Sequence, residues 1–286
     1  MRNQTVETDA QVLLEAPNAS PDVVGVVEAQ AIDKITSLAE YMSLMGGMTN
    51  SGDRLWFRGT RKSIHDLEPS LFRHPSIKDA NKLIELEWAL LSDFRHKAPP
   101  FTTSLPRDDL ELLFLMQHFG VPTRLLDWSE SPFVALFFAL ENARQDETHD
   151  ASVWILNPVN LNSLAANLRE GSNQIYGAYA PELTSYKPRS EGTKLTERLP
   201  SALFGIHNSP RIVAQRGTFV IFGKDIIPMN KHEMLKDRKD IIKRIDIDKA
   251  AKRQMFLELT NMGVSDSVIY PDLDGLGREI KNYRGF

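Results

Sequence analysis

The sequence contains no cysteine, which excludes disulfide bonds, thiolate metal sites and a cysteine nucleophile. It also has no long hydrophobic run: the densest one, residues 132–140, has about half the length that a bilayer span requires. Residues 1–18 lack the apolar core of a signal peptide, because Glu15 soon follows Val12-Leu13-Leu14. A cytoplasmic protein without a membrane partner is therefore expected. Positive charge is not in excess, and the formal net charge of −4 gives no general attraction to nucleic-acid phosphates. A nucleic-acid partner would need a local basic patch.

Several catalytic signatures are missing as well. There is no Gly-x-x-x-x-Gly-Lys-Ser/Thr phosphate loop, and Gly275-Leu276-Gly277 has neither the third glycine nor the preceding strand of a dinucleotide fingerprint. The seven histidines are scattered with no His-x-x-x-His pair, so no metal site is expected. No Gly-x-Ser-x-Gly elbow occurs. What remains is an ordinary globular composition, 42% hydrophobic and 25% charged, on a chain long enough to bury a sizeable core.

Periodicity predicts helices over residues 31–45, 79–96, 107–119, 133–143, 249–262 and 271–283. Gly46-Gly47 is expected to stop the first of these. Ser131-Pro132 is a helix start, with Ser as N-cap and Pro at the first helical position. Strands are predicted at 55–57, 124–128, 152–156, 211–222 and 241–247. Helices group early and strands late, which favours an α+β fold with a mixed, mainly antiparallel sheet over a doubly wound parallel one. Residues 1–30 read as an N-terminal arm or tail. Residues 31–286 read as one domain, with a loosely packed loop insertion at 171–200.

Three segments concentrate chemistry. In Trp56-Phe57-Arg58-Gly59-Thr60 a permanent positive charge follows two aromatic residues at a strand end. Arg58 suits bidentate phosphate or carboxylate binding, and Gly59 would let a ligand approach the backbone. The alternative is a structural ion pair with Asp127. The block Gln117–Pro132 carries His118, Arg124, Asp127, Ser129 and Ser131 between two apolar helices. Such polar groups either serve a site or build a hydrogen-bonded turn, and the helix start at Ser131 favours an anion. In Arg211–Phe219, strand alternation places Arg211, Val213 and Gln215 on one face, so Gln215 points either into a cleft or into solvent. The mixed-charge stretch 231–244 is a weaker candidate for nucleic-acid binding, since Glu233, Asp237 and Asp240 interrupt its basic residues.

These segments, with the ending Tyr270-Pro271-Asp272-Leu273-Asp274-Gly275-Leu276, resemble the FRG domain family over roughly residues 35–278. A more distant resemblance is to the arginine-type ADP-ribosyltransferases. Phe57-Arg58-Gly59-Thr60 is similar to their first motif. Asp127-Trp128-Ser129 leading into Val134-Ala135-Leu136-Phe137-Phe138-Ala139 is similar to their second, with Asp127 and Trp128 departing from its Ser-Thr-Ser strand. Gln215 stands where those enzymes carry a catalytic glutamate, and an amide cannot act as a base. The resemblance implies an ADP-ribosyltransferase-like core with NAD as substrate and a protein or nucleic-acid acceptor. Arg58, Gly59, Thr60, Arg124, Ser129 and Ser131 would hold the dinucleotide, and Arg58, Gln215, Asp127 and His118 would form the catalytic group. A cognate regulatory protein and a toxin or phage-defence role are further expectations. The rival is a non-enzymatic nucleotide- or partner-binding module using the same cleft.

Overall fold

Apolar side chains on both faces of one six-stranded sheet set the architecture. The computed structural model describes residues 34–50, 52–141, 148–167, 174–188, 199–206 and 209–285. The strands are β1 (Trp56–Thr60), β2 (Leu125–Ser129), β3 (Ala151–Leu156), β4 (Ser201–Phe204), β5 (Gly217–Ile221) and β6 (Ile242–Ile247). Their order is β4-β5-β2-β1-β3-β6, and each of these ladders is antiparallel. Two isolated bridges, Ile35 to Ile247 and Tyr176 to Leu203, are parallel. The fold is α+β with a mainly antiparallel sheet, as the element pattern predicts.

The helices are α1 (Leu38–Thr49), α2 (Ala80–Lys97), α3 (Asp109–His118), α4 (Pro132–Leu140), α5 (Pro158–Asn167), α6 (Pro210–Ala214), α7 (Lys252–Asn261), α8 (Asp266–Ile269) and α9 (Leu273–Arg284). Side-chain caps start several of them: Asp79 accepts from Lys82 N at 2.9 Å, Asp108 from Leu110 N at 2.9 Å and Asp272 from Gly275 N at 2.7 Å. Because directly paired residues share a face, Phe57, Ser129, Gly217, Asp127 and Phe219 lie on one side of the sheet. Over β1, β3 and β6 that side packs against α1, α4 and α7 through Phe57, Val153, Phe137 and Met255. Over β2, β5 and β4 it packs against α3 through Leu125, Phe219 and Phe114. The opposite side buries Trp56, Leu126, Trp128, Trp154 and Val220.

Three expectations are corrected. Helix α1 runs through Gly46-Gly47 to Thr49. Glycine costs about 1 kcal/mol each in a helix, which the burial of Leu38, Tyr41 and Met45 outweighs. The described parts of the expected insertion, residues 174–188 and 199–200, are not loosely packed: Tyr176, Leu183 and Tyr186 are buried in the core beneath α3, and Leu199 is buried as well. Finally, β4 and α5 were not predicted, because both are short and their burial comes from tertiary partners. The expected N-terminal arm, residues 1–30, lies outside the described residues. All described residues fall within one compact unit, Asp33–Phe286.

Gly59 shows how tightly the two layers meet. A Cβ added there would stand 1.9 Å from Ala135 O and 2.5 Å from Ala139 N of α4. The glycine thus admits a helix backbone. Since the clash is with backbone, Gly59→Ala is expected to cost at least the roughly 1–3 kcal/mol of ordinary overpacking, read from the urea midpoint at unchanged slope.

Candidate functional site

The two central strands barely pair. β1 and β2 have one register position, Phe57 opposite Ser129, whereas β1–β3 and β2–β5 have five each. Beyond that position the strands part, and a cleft of about 330 Å³ opens, lined by β1, β2, β5 and the near ends of α3, α4 and α6. Arg58 spans the split: its Nη1 donates to the backbone oxygen of Asp127 at 2.5 Å. Its Nε is buried without a hydrogen-bond partner. Burial lowers the guanidinium's pKa, opposed by the Asp127 charge and reinforced by Arg73.

Four more buried donors behave in the same way: Trp56 Nε1 and Trp154 Nε1 outside the cleft lining, and two within it. Trp128 neighbours the Phe57–Ser129 pair, and Thr218 faces Trp128 across the β2–β5 ladder. Both line the cleft, both are almost fully buried, and neither Trp128 Nε1 nor Thr218 Oγ1 has a partner. Buried donors are rarely left this way, because each unmade hydrogen bond costs about 1–3 kcal/mol.

The family model of the FRG domain matches residues 53–148. No curated protein and no solved structure matches the chain significantly. The matched segment supplies β1, α3, β2 and α4, and hence Arg58, Asp127 and Glu141. The remaining walls, with Arg211, Gln215 and Thr218, come from chain that follows it.

Of the residues expected to form a site, Arg58, Gly59, Thr60, His118, Asp127, Ser129 and Gln215 line this one cleft. The expected Arg58–Asp127 ion pair takes another form. Arg58 binds the main chain, while the Asp127 carboxylate accepts from Gln117 Nε2 at 2.9 Å. Gln117 in turn accepts from Thr123 Oγ1 at 2.7 Å, so the carboxylate is held by a fixed amide. Ser129 Oγ donates to Gln215 O at 2.7 Å and accepts from Ser131 N at 2.9 Å, which joins β2 to the turn before β5. Thr60 Oγ1 donates weakly to Ser152 O at 3.4 Å. The His118 pKa is lowered by burial, with Arg211 adding to it.

Arg124 and Ser131 do not belong to the cleft. Arg124 is fully buried: Nε meets Glu87 Oε2 at 2.7 Å, Nη1 donates to Phe222 O and Nη2 to Tyr186 O, both at 2.8 Å. With all its reach spent on α2, β5 and the Tyr186 segment, it is a structural clamp. Ser131 accepts from Val134 N at 3.4 Å as the N-cap of α4, and the anion-binding role expected of that helix start is not supported by its position outside the lining. The polar block is therefore both things at once: a hydrogen-bonded turn whose Asp127 edge faces the cleft.

Gln215 is not on a strand. Ser209-Pro210 repeats the Ser131-Pro132 start, residues Pro210–Ala214 form α6, and Gln215 is its C-cap. Arg216 then turns the chain with φ 46°, and only Gly217 begins β5. Gln215 still reaches the cleft, with Nε2 donating to Ile269 O at 3.1 Å.

Glu141 and Thr218 line the cleft, and Tyr270 contacts Glu141; periodicity singles out none of the three. Glu141 caps the C-terminus of α4 and lines the cleft three residues after Phe138, on the same face. Its Oε2 accepts from Tyr270 Oη at 2.9 Å, and Oε1 lies 3.8 Å from Arg61. The Tyr270 ring carries Arg211 at 4.7 Å and Arg278 at 3.8 Å from its centroid. Gly275 packs onto Tyr270 O, where a Cβ would stand at 1.9 Å, so the Tyr270–Leu276 signature folds α9 back onto this tyrosine. Glu141 looked like a helix end; the C-terminal signature was the signal that something must meet it.

Burial raises the Glu141 pKa despite the Tyr270 hydrogen bond and the charges of Arg61 and Arg278; Asp266 adds to the rise. A raised folded pKa means that the folded state holds the proton more tightly than the unfolded one. Its contribution to stability is present below the unfolded pKa and is lost as pH rises through the folded pKa. Glu141→Gln is therefore expected to remove a fall in stability toward neutrality, read as the difference between wild-type and variant urea midpoints across that range.

The mixed-charge stretch is locally compensated: Lys231 pairs with Asp66, Lys236 with Glu233, Arg238 with Asp240 and Arg244 with Asp246. Among the described residues no group of three or more His, Asp or Glu is placed to hold a metal ion, and no helix is long and apolar enough to cross a membrane.

Proposed function

We propose that the cleft binds NAD and that the protein is an ADP-ribosyltransferase-like enzyme, transferring ADP-ribose to a protein or nucleic-acid acceptor. The observation that carries this reading is the convergence of three buried, unpartnered donors, Arg58 Nε, Trp128 Nε1 and Thr218 Oγ1, on a cleft beside Arg73. Such donors call for acceptor oxygens, and a guanidinium fork suits a pyrophosphate. A cavity of about 330 Å³ sits at the lower end for small-molecule sites, which fits one end of a dinucleotide entering the split. The aromatic-Arg-Gly strand, its partner strand and the apolar helix after it support the family analogy.

Each residue then has a task. Arg58 holds a phosphate or ribose oxygen while bracing the split through Asp127 O. Trp128 and Thr218 complete the donor set. Ser129 fixes the Gln215 turn, and Gln215 presents its remaining amide oxygen to a ribose hydroxyl. His118 and Asp127 border the acceptor side. A toxin or phage-defence effector governed by a cognate protein is consistent with such an activity.

The alternative, a non-enzymatic binding module, is favoured by one observation: Gln215 is an amide, and its nitrogen is already committed to Ile269 O. Incubating the purified protein with NAD labelled on the adenine, with and without cell extract, separates the two. Label on macromolecule supports the transferase. A saturable thermal shift with NAD, but neither labelled macromolecule nor released nicotinamide, supports the module.

A further inference from the structure

We propose that Glu141 is the carboxylate that takes the acceptor's proton during transfer, the part that Gln215 cannot play. This rests on the transferase reading. The cleft offers four carboxylates, Asp66, Glu68, Asp127 and Glu141. Asp66 accepts from Asn230 Nδ2 at 2.9 Å and pairs with Lys231 at 2.6 Å. Asp127 is exposed and held by Gln117. Glu68 is half-buried and comes from the chain between β1 and α2.

Glu141 differs from all three. Its side chain is 19% exposed, projects from the α4 face that carries Phe138 into the cleft, and is oriented by Tyr270. Arg211 and Arg278 both stand over the Tyr270 ring, so the carboxylate has an anchored partner and one oxygen left near Arg61. Burial against this wall strengthens it as a base. The charges of Arg61 and Arg278 oppose the rise in its pKa.

The step balances as follows. The acceptor's lone pair bonds to the anomeric carbon of the nicotinamide ribose. The carbon–nitrogen glycosidic bond breaks, and its electron pair leaves on nicotinamide as the neutral base. Glu141 takes the proton from the acceptor's O–H or N–H. Water serves as acceptor when no other is present.

The test uses the full chain and NAD, with nicotinamide release as the rate and calorimetric titration as the binding readout. Glu141→Gln is expected to bind NAD as the wild type does and to release nicotinamide about 100-fold more slowly or worse. Tyr270→Phe removes a hydrogen bond that favours the ionised form, so the acidic limb of its pH–rate profile should move to higher pH. That variant keeps the carboxylate, and it tests the assignment even if Glu141→Gln folds poorly. Glu141→Gln turning over at the wild-type rate overturns the inference while leaving the transferase reading intact. Loss of NAD binding together with turnover also overturns it, since Glu141 would then shape the site. A wild type that neither binds nor cleaves NAD overturns the proposed function itself, and this inference with it.

Discussion

Arg124→Ala is expected to destabilise the protein by about 3–5 kcal/mol, because it leaves Glu87 as a buried, uncompensated carboxylate. Both side chains are 0% exposed, so water cannot compensate. The loss spreads over several elements: Glu87 sits in α2, Phe222 follows β5, and Tyr186 ends a 3-10 turn. Glu87 Oε1 also accepts from Arg124 N at 3.1 Å. A double variant, Arg124→Met with Glu87→Leu, removes both charges and should recover much of the loss. Recovery should be partial, because the oxygens of Phe222 and Tyr186 lose the bonds that Arg124 donates, and a hydrogen bond from a charged group is worth about 1.5–3 kcal/mol. Urea unfolding of the three variants measures this. An Arg124→Ala variant as stable as the wild type would contradict the clamp, and would reopen Arg124 as a ligand-binding residue.

The strands and long helices were largely legible, for physical reasons. Helix α4 is apolar nearly all round and carries a Ser-Pro start, so both its existence and its burial follow from local sequence. Residues 79–96 and 107–119 show clear helical spacing and acidic caps. Residues 211–222 misled because Val213 and Ile212 have strand propensity, whereas Ser209-Pro210 and the left-handed Arg216 impose a single helical turn. The site was legible in its residue types and less so in its roles. Arg124 and Arg58 look alike in sequence, yet one meets a buried glutamate on α2 and the other a main-chain oxygen. The parting of β1 from β2, which creates the cleft, is a property of ladder geometry that no local pattern encodes.

Arg58→Ala is the other substitution with a large expected effect, and here the effect falls on binding. The Arg58 side chain donates to Asp127 O, lines the cleft and leaves its Nε without a partner. The fold should therefore tolerate its loss better than that of Arg124. Binding should not, since a charge-assisted, two-donor contact disappears. Arg58→Lys should also bind poorly, because an ammonium keeps the charge and loses the planar fork.

The most direct measurement is thermal unfolding of the wild type and of Arg58→Ala over a series of NAD concentrations. A ligand at 100 times its dissociation constant stabilises by about 2.7 kcal/mol, which is a shift of several degrees or less for a chain of this size. The account predicts a saturable upward shift for the wild type and none for Arg58→Ala at the same concentrations. No shift in a folded wild type, at any NAD concentration up to millimolar, would contradict it.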